Sequence, residues 1–67
     1  MELLKIIEGL QLIQKSKPEN ATGHFRAEHD EIFVGSLNWR MSEEDKKRIK
    51  ELGWEACEDA DGWRACV

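Results

Sequence analysis

The chain has 67 residues, 10 Lys and Arg against 14 Asp and Glu, a formal charge of -4, and 40% hydrophobic residues. That length holds one domain, residues 1–67, and leaves no room for a second domain or a cofactor-binding α/β unit; the single Pro and the apolar fraction argue against a disordered tail. An acidic balance with no phosphate-gathering run of Lys or Arg argues against nucleic acid as a direct ligand.

Leu3, Ile6, Ile7, Leu10 and Ile13 recur at the i, i+3, i+4, i+7 spacing of one helical face, and Leu4 widens the stripe. The spacing predicts an amphipathic helix, ended by Lys15 and Lys17 at the negative pole of its dipole and by Pro18, which breaks the hydrogen-bond ladder. Glu2, Lys5, Glu8, Gln11 and Gln14 interrupt the apolar residues, so the segment reads as neither a signal peptide nor a membrane span, and a cytoplasmic protein is expected. Gly9 costs about 1 kcal/mol relative to Ala inside a helix, which fits close approach of another backbone or a tolerated imperfection. Leu12 falls off the main stripe. So wide an apolar arc exceeds what a small sheet covers, and it predicts a homodimer associating through Leu3, Leu4, Leu10 and Leu12.

Residues 18–23 have loop composition; Asn20-Ala21-Thr22 matches the glycosylation pattern, here read as chance. From His24 to Gly35 the sequence alternates. A two-residue turn at His29-Asp30 pairs Ala27 with Ile32, puts Phe25, Ala27, Ile32 and Val34 on one side, and turns Arg26 and Phe33 to the other. Ser36 to Met41 is a connector carrying Trp39 and Arg40. Ser42 is a good N-cap, with Glu43, Glu44 and Asp45 in the first turn and Lys46, Lys47, Arg48 and Lys50 behind them, so a second helix is expected. The pairs Glu43 with Lys47 and Glu44 with Arg48 support it, only Ile49 and Leu52 face the core, and Gly53 is the expected C′ residue.

Residues 54–67 alternate around the turn-forming run Asp59-Ala60-Asp61-Gly62, predicting a closing hairpin. A four-residue loop gathers Trp54, Ala56, Trp63, Ala65 and Val67 on one face and Glu55, Cys57, Arg64 and Cys66 on the other. A three-residue loop with Gly62 at a bulge would instead pair Glu58 with Arg64 and put a Trp on each side. The preferred architecture is α+β in the order α-β-β-α-β-β, a small antiparallel sheet with two helices on one face.

No cofactor or metal is expected, and no catalysis. His24 and His29 lie about 16 Å apart on an extended strand, too far to share an ion, and with Cys57 and Cys66 they do not match a familiar zinc spacing. The two cysteines sit diagonally across the last hairpin, near or past the reach of an unstrained disulfide, and nothing places either where a thiolate would be favoured. Asp59-x-Asp61-Gly62 is too short for a calcium loop. What remains is a surface. Trp39, Arg40, Phe33 and Arg26 are residue types enriched at interface hot spots, so the expected function is non-catalytic binding of an as yet unidentified protein partner, with a structural homo-oligomer as the alternative.

His29-Asp30-Glu31-Ile32-Phe33-Val34-Gly35, read with Ser42-Glu43-Glu44-Asp45, Leu52-Gly53-Trp54 and Asp61-Gly62-Trp63, resembles small uncharacterised proteins encoded by phages and prophages. The resemblance covers roughly residues 25–67 and leaves out the first helix. It implies a shared fold and an accessory factor that binds a host protein, and it brings no catalytic residue.

Overall fold

A computed structural model describes residues 1–22 and 25–66. In chain order the elements are α1 (Leu3–Ser16), β1 (Phe25–Glu28), β2 (Glu31–Val34), α2 (Glu43–Glu51), β3 (Glu55–Cys57) and β4 (Gly62–Cys66). The strands form one antiparallel sheet in the order β1-β2-β4-β3, giving the expected α+β fold. β1 and β3 are its two edges.

The first hairpin has the register its alternation dictates, Ala27 opposite Ile32 and Glu28 opposite Glu31. His29 adopts a φ of 50° at the first loop position, where a tight hairpin turn needs positive φ. β2 then pairs with β4, setting Ile32 opposite Ala65 and Val34 opposite Trp63. These four side chains are buried, and with Ile13 of α1, Ile49 of α2, Met41, Leu52 and Trp54 they make the core.

The last hairpin corrects the expected pairing while keeping its faces. Its loop is also four residues long, but it is Glu58 to Asp61, so Cys57 opposes Gly62, Ala56 opposes Trp63 and Glu55 opposes Arg64. Gly62 stands in the strand and not in the turn, at a position that crowds a side chain: a Cβ there would lie 2.9 Å from the Gly35 carbonyl oxygen and 3.1 Å from that of Val34. Asp61 takes the positive φ, 49°, in its place. Val67, expected on the inner face, lies outside the described residues.

α2 starts as predicted, with the Ser42 Oγ accepting the Asp45 N–H at 3.1 Å, and Gly53 succeeds its end at φ 101°. The expected Glu44–Arg48 pair is replaced: Arg48 reaches across to α1, its Nη2 donating to Glu8 Oε1 at 3.0 Å. Lys15 meets Asp45 at 3.2 Å across the same seam, while within α2 Glu43 pairs with Lys46 and not with Lys47.

α1 is rolled relative to its expected stripe, with Gly9 and Ile13 fully inside and Ile6, Leu10 and Leu12 packed against the core. The cause is Trp54, 1% exposed, whose indole occupies the space a side chain on Gly9 would need. The Trp54 Nε1–H donates to the Lys5 carbonyl at 3.2 Å, fixing the indole under the helix. Gly9 thus admits a side chain and not the neighbouring backbone considered from sequence. The roll leaves Leu12, like Leu10, half-buried against the core, and Leu3 and Leu4 70% and 76% exposed.

Candidate functional site

The connector between β2 and α2 is shaped by one glycine and one anchored turn. Gly35, at φ 75°, packs so closely that a Cβ would lie 2.7 Å from Ile13 Cγ2 and 3.0 Å from Trp39 Cζ3; only glycine lets the indole settle there. Ser36 anchors the turn after it: its hydroxyl donates to Asp61 Oδ2 at 2.9 Å and accepts the Asn38 N–H at 3.2 Å. The Trp39 N–H donates to the Ser36 carbonyl at 3.2 Å. Trp39 is therefore held half-buried by a turn tied to the opposite hairpin.

On the helix-free face, the Arg26 guanidinium carbon lies 4.9 Å from the centre of the Phe33 ring, a cation–π stack. Its Nε is also 3.3 Å from Glu28. One strand further, Arg64 bridges Glu31 at 3.2 Å and Glu55 at 2.6 Å, spanning β2, β4 and β3. The Glu55 hydrogen bond, reinforced by the charges of Glu55 and Glu31, raises the Arg64 pKa above its ordinary value, so it stays a cation.

Arg26, Phe33 and Trp39 line one groove of 480 Å³, together with Ser36 and Asp61. Arg40 is exposed and lies outside it, so the connector separates the two neighbours that sequence had grouped. On the other side of Trp39 a second, more apolar groove of 610 Å³ runs between α1 and the first hairpin, walled by Leu10, Gln14, Phe25 and Val34. Phe25 belongs to both grooves and is 63% exposed. Alternation placed it on the inner face; nothing in the local pattern shows that β1 overhangs the helices and leaves that face uncovered.

Among the described residues no group of three His, Cys, Asp or Glu side chains is arranged to hold a metal ion. His29 sits on an exposed hairpin tip, and His24 lies outside the described residues. Both cysteines are free thiols; Cys57 opposes Gly62, which puts Cys66 four residues further on and about 13 Å along the strand, beyond the diagonal spacing expected. No described helix is long and apolar enough to cross a membrane. In comparisons with family models, curated proteins and solved structures, nothing matches this chain.

Proposed function

We propose that this chain is a non-catalytic protein-binding module, an accessory factor of the phage or prophage kind that acts by occupying a surface of a host protein. The observation that carries the reading is the convergence of Arg26, Phe33 and Trp39 on one groove. Aromatic and Arg side chains dominate binding energy where they are held in place beforehand, and here a stack and a tied turn hold them. The choice of partner class follows what the sequence pattern of residues 25–67 was read to resemble. The test is capture from source-organism lysate with wild type beside Trp39→Ala and Phe33→Ala, each first checked for folding by circular dichroism. A partner retained by wild type and lost from both variants is expected; capture indifferent to both removes the groove from the function.

A second reading, a structural homodimer, is favoured by a separate observation: Leu3, Leu4 and Phe25 are 70%, 76% and 63% exposed. Of the four leucines expected from sequence to self-associate, Leu3 and Leu4 are the most exposed, and Leu10 and Leu12 are half-buried. Its test is therefore Leu4→Glu, which leaves the core untouched and lowers the solution mass if the helix joins two copies.

A further inference from the structure

We propose that the β1 edge pairs with β1 of a second copy, antiparallel about a two-fold axis through Ala27, joining two four-stranded sheets into one of eight. This deepens the homodimer reading and rests on it, but moves the interface from the helix to the sheet edge.

The backbone sets the phase. In a hairpin with a two-residue loop the flanking pair, here Glu28 and Glu31, exchanges both N–H···O bonds, and the donors and acceptors alternate from there. Arg26 and Glu28 thus spend their backbone groups on β2, while Phe25 and Ala27 present theirs to the open edge. Two copies of β1 meeting at Ala27 would exchange both bonds of that residue, as an antiparallel ladder requires.

The side chains select the same register. Directly opposed residues lie on one face, so a two-fold contact must be centred on a residue. Centred on Arg26 it sets two guanidinium groups against each other, and centred on Glu28 it sets two carboxylates. Centred on Ala27 it sets Arg26 of each copy against Glu28 of the other, in the non-hydrogen-bonded pairs where side chains approach most closely. In the single chain Arg26 meets Glu28 at 3.3 Å on its own strand and stacks on Phe33, and the two charged side chains remain 60% and 54% exposed. The other edge offers no such match: β3 is three residues long and carries Glu55, with Glu58 and Asp59 just beyond, so no register sets opposite charges against each other.

The apolar surface fits as well. α1 runs opposite to β1, with Leu10 and Gln14 beside Phe25 and its start beside Cys66 at the far end of the sheet. Leu3 and Ile7 continue the Leu10 side of the helix at i, i+4, i+7. The two-fold therefore carries the exposed Phe25 of each copy toward the exposed Leu3 and Ile7 of the other.

The experiment is solution mass by light scattering and sedimentation from micromolar to millimolar concentration. Wild type should approach twice 7.8 kDa as concentration rises. Arg26→Glu and Glu28→Arg should each raise the dimer dissociation constant about tenfold or more, since two cross-strand pairs turn from attractive to repulsive. Mixing the two variants should restore the dimer, because every pair is then opposite in sign. Ala27→Pro removes an edge N–H that β2 does not use and should leave a folded monomer. A wild type that stays at 7.8 kDa overturns both the edge pairing and the homodimer. A dimer that ignores the β1 variants yet dissociates with Leu4→Glu overturns the edge pairing alone.

Discussion

The two helices lie side by side on one sheet yet owe their positions to different kinds of information. α2 is specified locally: Ser42 caps it, three acids occupy its first turn, Arg48 and Lys50 its last, and Gly53 ends it. α1 has no side-chain cap and no acid in its first turn, and it carries a glycine in its middle. It is placed by the residues beneath it, chiefly Trp54. Local signals state that a helix exists and where it stops; they do not state how it is rolled about its axis. Only packing does that.

The largest expected effect strikes α1. Trp54→Ala empties the space under Gly9 and should cost about 3–5 kcal/mol in denaturant unfolding, a loss that a domain this small survives poorly. Hydrogen exchange should show α1 amides losing protection before those of α2; equal loss in both helices would end the distinction. Next comes Gly9→Ala, where propensity and packing disagree in sign. Propensity alone predicts a gain of about 1 kcal/mol. A methyl group at that position would sit 2.8 Å from Trp54 Cζ2 and nearer still to Nε1 and Cε2, so a net loss of about 1–3 kcal/mol is expected from overpacking. A stabilised variant would show that α1 is as locally determined as α2.

For α2 the matching change is Ser42→Ala, which strips the Asp45 N–H of its acceptor and should cost about 1 kcal/mol in thermal unfolding. The smallest effect tests the seam between the helices. The hydrogen bond from Arg48 holds the Glu8 carboxyl below its ordinary pKa, so whatever the pair contributes is complete above the ordinary glutamate range and is lost as pH falls through the lowered value. Both groups are largely solvated, which keeps that contribution small. Tracking the Glu8 carboxyl by NMR should show a depressed midpoint that returns toward normal in Arg48→Gln.

Much of this fold could be read directly from the chain, and the misreadings have identifiable causes. The His29-Asp30 turn, its register, the face shared by Arg26 and Phe33, and both ends of α2 are set by residues within a few positions of each other. The failures are all contacts between distant segments. Gly62 has the sequence character of a turn residue, but in β4 it answers a close approach of the Val34 and Gly35 carbonyls that only the assembled sheet reveals. Arg48 has a suitable partner four residues away and takes one on another helix. Leu12 lies off the apolar stripe until the indole under Gly9 rolls the helix toward it. At the groove, Trp39, Phe33 and Arg26 were expected from residue type; Arg40 was expected on the same ground, but residue type does not say which way a connector side chain turns, and the places of Phe25, Ser36 and Asp61 needed the sheet to be assembled first.

The three tryptophans differ in how much solvent they meet: Trp54 and Trp63 are 1% and 5% exposed, while Trp39 stands half-buried on the ridge dividing the two grooves. Their intrinsic emission therefore separates into two signals carried by the unaltered protein. The two interior indoles change colour only when the domain unfolds. The third answers to whatever enters either groove, so a shift confined to Trp39 registers occupancy without any attached label.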